Sequence, residues 1–290
     1  VFVVTVLFFF FLGPSLSLAN SATMYMLGEE RDQFGLVRVG GTIGFGVFTL
    51  IAGLLIDRFG LPATFWLGAA LFVGTFLSSL GLVYDKSVSN EEDENGEISD
   101  LLRQPNWILF LILAFISGVA LFAVNNYFYP YMIDMGASPT LTGLALTIGN
   151  LTELPFMLLA NRIIGRFGGF GTLILSTGVT GLRLVLLGAA ANPAEATATQ
   201  LLNGLSFPLM LIGGVYYADS HTLPGLLSTS QGLFHAAILG IGAAVGGFVC
   251  GILLEQIGGS AMFILIGSAV LLVMVTVLLV RRRLDKIASN

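Results

Sequence analysis

The sequence has little of what lets a chain face water. Charged side chains make up only 10% of its 290 residues, whereas a soluble domain carries roughly a quarter. So few charges on so long a chain exclude an ordinary water-soluble protein. Cysteine occurs once, as Cys250, so no internal disulfide is possible and the redox compartment cannot be read. Histidine occurs twice, as His221 and His235, and neither has the spacing to other ligands that a metal site needs. The signatures HExxH, CxxC, GxxxxGK(S/T) and GxSxG are all missing. The chain is therefore not expected to be an enzyme, and no cofactor or metal is expected. Its 12 Lys and Arg form no cluster large enough to hold nucleic acid.

What remains is apolar: 56% of the residues are hydrophobic and the mean hydropathy is +0.92. A bilayer-crossing helix needs about 20 mostly apolar residues. By that template the chain holds about nine: 1–27, 38–56, 62–84, 107–132, 140–163, 171–190, 195–218, 227–254 and 258–280. The breaks carry turn or polar residues, such as Gly28-Glu29-Glu30-Arg31-Asp32, Asp57-Arg58-Phe59-Gly60, Ala191-Asn192-Pro193 and Gly258-Gly259. The spacing predicts an all-α polytopic membrane protein with the lipid bilayer as partner.

One connection differs from the rest. Residues 85–106, with Asn90-Glu91-Glu92-Asp93-Glu94-Asn95-Gly96-Glu97, read as an acidic solvated tether. They divide the chain into 1–84 with three helices, 107–280 with six, and a basic tail over 281–290. Lys and Arg in the short connections give the orientation. Arg31, Arg38, Lys86, Arg103, Arg162, Arg166, Arg281, Arg282, Arg283 and Lys286 fall in one alternate set, and only Arg58 in the other. The first set, with the C-terminus, is expected on the cytoplasmic side and residue 1 on the outer side. Ser17-Leu18-Ala19 offers a signal-cleavage site, but no basic n-region precedes it. The opening on Val1 suggests a missing N-terminal segment.

The informative residues are polar groups inside spans. Glu153 and Arg183 lie near the centres of theirs, where a charge costs about 2.5–3.5 kcal/mol and is expected to face the bundle interior or a water-filled cavity. Their simplest structural role is an ion pair locking two helices, and their functional one is a substrate or coupling-ion site. Asn20, Asn125, Asn126, Tyr127, Tyr131, Asn150, Asn203 and Ser206 also fall within spans. Singly each serves as well for helix-to-helix bonding, but as a set they suggest a polar lumen. His221 and His235 read as loop or interface residues. Gly242/Gly246 and Gly247/Gly251 form small-xxx-small pairs, a close packing face. Pro14, Pro155 and Pro208 predict kinks.

A family resemblance runs along the same chain. Phe34-Gly35-Leu36-Val37-Arg38-Val39-Gly40-Gly41-Thr42-Ile43-Gly44-Phe45 resembles the helix 4–5 region of a branch of the major facilitator superfamily, with Gly40 where an aromatic is usual. That branch holds lactose permease-like oligosaccharide:proton symporters, nucleoside:proton symporters and phenylpropionate-type permeases. Thr152-Glu153-Leu154-Pro155 resembles its S-E-(I/L/V)-P in helix 8. Asn161-Arg162-Ile163-Ile164-Gly165-Arg166-Phe167-Gly168 resembles the basic loop that follows. Arg183 falls on the helix 9 arginine. Gln200-Leu201-Leu202-Asn203-Gly204-Leu205-Ser206-Phe207 resembles the helix 10 pattern Q-L-L-H-G-x-(S/T)-F.

The resemblance implies a major facilitator fold lacking its first three helices, so that the spans correspond to helices 4–12. It implies substrate binding at Arg38 and Glu153 and proton coupling at Glu153 and Arg183. Asn203 replaces the branch's histidine, Ser206 its proton-carrying acid and Asn20 its helix 4 carboxylate. Arg38, Asn20, Asn126, Glu153 and Asn203 are thus the candidate substrate-binding residues. The expected function is secondary active transport of a small organic solute of the sugar, nucleoside or aromatic acid class. Coupling to a cation or proton and alternating access are expected with it, as is a plasma (inner) membrane location. The alternative is a non-transporting membrane protein or an inactive truncated fragment of such a transporter.

Overall fold

The structure, a computed structural model, describes residues 15, 18–60, 62–81 and 97–288. Among these the ordered elements are helical, with no strand. Residues 18–27 form α1. Then come α2 (Phe34–Phe59), α3 (Ala63–Ser79), α4 (Ile98–Arg103), α5 (Pro105–Asp134), α6 (Pro139–Ala189), α7 (Pro193–Ala198), α8 (Asn203–Ser220), α9 (Leu227–His235) and α10 (Ala243–Ala288). A 3-10 turn over Thr199–Leu202 joins α7 to α8, and a π-helical segment over Ala236–Gly242 joins α9 to α10.

Two helices are too long to cross a bilayer once. Leu141–Ala189 is 49 residues and Leu227–Leu284 is 58, or about 70 and 85 Å of helix at 1.5 Å per residue. The hydrocarbon layer is about 30 Å. Each therefore reverses at one glycine. Gly168 has φ 67°, ψ 173° and Gly258 has φ 77°, ψ 169°, a region open only to glycine. The contacts of α8 show the reversal. Gly149 meets Gln200, Thr152 bonds Gly204, and Gly35 touches both Met157 and Ile212, so the first arm of α6 runs parallel to α8. Thr172 meets Gly213 while Arg183 bonds Ser206, so the second arm runs antiparallel to it. The expected break at Gly258-Gly259 falls where the sequence placed it.

Other expectations shift. Pro155 and Pro208 lie inside helices whose dihedrals stay helical around them, and the chain reverses at Gly168 and Gly258. Pro14 lies outside the described residues, as does most of the acidic segment, 82–96. The end of that segment is not a bare tether. Residues 98–103 form α4, and Leu101 is fully buried. The last helix runs on to Ala288, so the basic tail is a continuation of α10.

The core has two clusters, one toward each end of the bundle. At one end Tyr217 stacks on Trp107, meets Phe110 at a tilt and Phe170 edge-on, and the Arg281 guanidinium lies 3.9 Å over Phe170. Arg166 belongs to the same turn as Phe170, and Arg103 is just before α5. The basic residues therefore gather at one end. At the other end Tyr131 packs on Phe263 and its hydroxyl donates to the Leu187 carbonyl at 3.4 Å. Outside the spans, His221 stacks on Tyr217 at 4.0 Å. Burial holds its imidazole below the ordinary value, against a raising backbone hydrogen bond and with Arg281 adding to the fall.

The helices before the acidic segment attach through α2. Gly35 is the contact point: a Cβ there would lie 2.7 Å from the Met157 carbonyl oxygen and 2.9 Å from the Ala160 Cβ. Farther out, α3 touches α2 and leaves Phe65 and Trp66 76% and 79% exposed.

Candidate functional site

The α6–α8 seam is built from polar groups set by local structure. The 3-10 turn before α8 winds three residues per turn, so side chains three apart eclipse. Gln200 and Asn203 thus point the same way, and Ser206 follows one turn on. Gly149 on α6 leaves room for them, since a Cβ there would sit 3.0 Å from Gln200 Oε1. Thr152 ties the two helices. Its hydroxyl donates to the Gly149 carbonyl at 2.7 Å and accepts from the Gly204 amide at 3.0 Å.

Into this seam project the two mid-span charges. Glu153 is 7% exposed and Arg183 4%. They do not form the direct ion pair that their positions suggested. Asn203 stands between them, its Nδ2 donating to Glu153 Oε1 at 2.7 Å and its Oδ1 accepting from Arg183 Nη1 at 2.6 Å. The same Nδ2 reaches the Gly149 carbonyl at 3.2 Å, so both amide hydrogens are used. Arg183 also donates to Gln200 Oε1 at 2.5 Å and to Ser206 Oγ at 3.4 Å. Its partners are therefore all neutral oxygens. Arg38, partly buried on α2, lies within electrostatic range of Glu153 and of the His235 ring.

Asn20, on α1, meets α9. It is 4% exposed, and its Nδ2 meets His235 Nε2 at 3.0 Å. The Nδ1 of His235 lies 2.8 Å from the Gln231 carbonyl oxygen. A carbonyl only accepts, so Nδ1 carries the hydrogen and Nε2 accepts from Asn20. His235 is thus a neutral bridge between α1 and α9.

Of the residues singled out in the sequence, Glu153, Asn203, Arg183 and Ser206 meet directly, with Arg38 beside them. Asn20 is adjacent but is engaged by His235. Asn126 does not join. It is exposed, and its Nδ2 bonds the Phe122 carbonyl within its own helix at 3.1 Å. Gln200 and His235 were missed as site-forming residues. The three-residue spacing of Gln200, Asn203 and Ser206 is a readable signal for the first. No local signal marks the second, which meets a partner 215 positions away.

The arrangement is a buried chain of hydrogen bonds from a carboxylate through an amide to a guanidinium, at the junction of α1, α2, α6, α8 and α9. The model of the MFS_1 like family matches residues 1–265. The chain belongs to that family, within the major facilitator superfamily. It is 28% identical over 268 residues to maltose permease of Geobacillus stearothermophilus, covering 91% of this chain and 68% of that one. It is 22% identical over 264 residues to xanthosine permease of Escherichia coli (strain K12), covering 83% and 63%. Lactose permease of Klebsiella oxytoca is 26% identical over 209 residues, covering 66% and 49%. This family member thus spans about two thirds of the length of the first two relatives and about half of the third. It is an integral membrane protein of a transporter family.

Proposed function

We propose that the chain is the larger part of a secondary active transporter, which moves a small organic solute by alternating access with a proton as coupling ion. The observation that carries the reading is the Glu153–Asn203–Arg183 chain. Among the described residues Glu153 is the only carboxylate near a span centre; Asp57, Asp134, Asp219 and Glu255 fall at span ends. A proton-coupled carrier needs one such group whose charge changes within the membrane. Glu153 has a cation, Arg38, whose distance changes if α2 moves against α6, and a donor, Asn203, whose distance changes if α8 does. That gives protonation and helix movement a common lever.

Under the same reading Arg38, Glu153 and Asn203 contact the solute. Asn20 reaches it on release from His235, and Arg183, in the same cluster, takes part in proton coupling. The permease names of the relatives favour a sugar or nucleoside as solute class. The gathering of Arg103, Arg166 and Arg281 at one end supports a cytoplasmic placing of that end and of the C-terminus in a plasma (inner) membrane.

The test is uptake and counterflow of radiolabelled solutes in cells making the protein with Glu153→Gln. The expected result is loss of proton-driven accumulation with exchange retained. Accumulation that survives with Gln at 153 removes the proton from this site. Absence of uptake by the unaltered protein favours the non-transporting alternative.

A further inference from the structure

We infer that the solute taken by the α6–α8 cluster carries a negative charge, a small organic carboxylate, and that this carboxylate is the counter-ion of Arg183. The inference rests on the reading of the cluster as the solute site.

Buried charges in proteins are paired, because removing an ion from water without a partner is costly. Arg183 breaks this pattern. Its guanidinium is almost wholly buried, yet Asn203 Oδ1, Gln200 Oε1 and Ser206 Oγ are all neutral. The nearby carboxylate of Glu153 is engaged by the Asn203 amide and faces the charge of Arg38 as well. Two guanidiniums therefore share one carboxylate. His235, next in line, is neutral by its hydrogen bonds and adds no counter-charge. The remaining acids of α2, α5, α8 and α10, at Asp57, Asp134, Asp219, Glu255 and Asp285, sit near helix ends or beside the Gly258 reversal, away from this layer.

The hydrogen-bond accounting points the same way. Arg183 Nε, Gln200 Nε2 and Arg38 Nε are buried and have no acceptor. All three are donors. Gln200 is 2% exposed, and its Oε1 is already taken by Arg183, which fixes Nε2 as the unmet end. A cluster short of acceptors and short of negative charge is complementary to a group that supplies both. A carboxylate presents two acceptor oxygens in the planar geometry that a guanidinium edge binds. A neutral polyol brings as many donors as acceptors and leaves the cation uncompensated.

The decisive experiment uses matched solute pairs that differ in one charge, glucuronate against methyl glucoside and benzoate against benzamide. Thermal stabilisation of the purified protein and uptake are both measured. The anionic member of at least one pair is expected to stabilise and to be taken up, the neutral member to do neither. Ser206→Asp then places a carboxylate beside Arg183. The ligand-free protein is expected to melt higher, and the anion to bind roughly tenfold or more weakly, the scale of one charge-assisted hydrogen bond. Arg183→Gln is expected to abolish the anion's effect, and it serves if the Asp variant fails to fold.

Stabilisation and uptake by neutral solutes alone would overturn the anion while leaving the transporter reading intact. So would undiminished anion binding in a folded Ser206→Asp protein. Anion binding without uptake keeps the inference and removes the transporter. No response to any solute overturns both.

Discussion

Where α8 meets α6 the contact is made by hydrogen-bonding side chains; where α10 meets α5 it is made by glycines. On α10 and the π segment before it, a Cβ at Gly242 would lie 2.8 Å from the Phe115 carbonyl oxygen. One at Gly246 would lie 3.1 Å from Val119, and one at Gly247 3.0 Å from the Phe122 ring. Backbones meet there with little between them, as small residues allow in lipid, where dispersion replaces the hydrophobic drive. The α6–α8 seam also uses glycines, Gly204 against the Thr152 carbonyl, Gly149 against Gln200 and Gly169 against Gly213, but between them it carries Glu153, Asn203, Arg183 and Gln200. Close packing gives a contact one geometry. A hydrogen-bonded chain can exchange partners, so the seam able to respond to a solute is the polar one.

The contrast is broken most severely by filling the glycines where backbones touch. Gly204→Leu on the polar seam and Gly118→Leu on the glycine seam, where Gly118 meets Ile238, both force backbone apart. Each is expected to cost about 3 kcal/mol or more. The measurement is melting temperature and folded yield in detergent. A Gly204→Leu protein that melts like the parent would mean that α6 and α8 are farther apart than described.

A smaller effect separates the seams by function. Asn203→Ala cuts the link between Glu153 and Arg183, removes the Asn203 donor from Glu153 Oε1 and leaves Arg183 Nη1 with only the 3.4 Å bond to Ser206 Oγ. The expected loss of stability is about 1–3 kcal/mol, with uptake reduced by far more than the change in folded protein explains. A double-mutant cycle with Arg183→Ala is expected to be non-additive, because the two residues share one chain of hydrogen bonds. Additivity would mean that Asn203 does not carry the interaction.

The smallest change sharpens the comparison. Ser117 on α5 bonds Thr177 on the second arm of α6 at 2.7 Å, a hydrogen bond away from the charged cluster. Ser117→Ala is expected to cost about 0.6 kcal/mol, the average for a polar contact between membrane helices, and to leave uptake unchanged. An altered transport rate would extend the responsive region beyond the polar seam.

The long apolar runs and the Gly258-Gly259 break were readable in the sequence because span length is set by the bilayer, a local constraint. Glu153, Arg183 and Asn203 were readable as a group because polar residues at mid-span have few tolerable positions. Their mutual geometry was not. An ion pair and an amide-bridged chain place the same residue types at the same depths, and only helix rotation and the eclipsing 3-10 turn decide between them. Asn126 is exposed and stands apart from the hydrogen-bonded cluster, and depth along a span says nothing about which way a helix faces. The Asn20–His235 contact joins helices distant in sequence, so no periodicity could carry it. The reversal at Gly168 was not read from the sequence, because a glycine inside an apolar run does not announce that its φ is positive.

The reversals at Gly168 and Gly258 bear on how the chain enters a membrane. At each, the second arm begins one residue after the first ends. A nascent chain with so short a connection cannot settle one arm and deliver the other later. Each pair must go in as a hairpin, with both arms lateral to the insertion channel at once. The connection at 221–226 is several residues long and imposes no such timing. Inserting a few polar residues at Gly168 would therefore disturb biogenesis before it disturbed the finished fold, whereas the same insertion near Gly225 would leave synthesis unhindered.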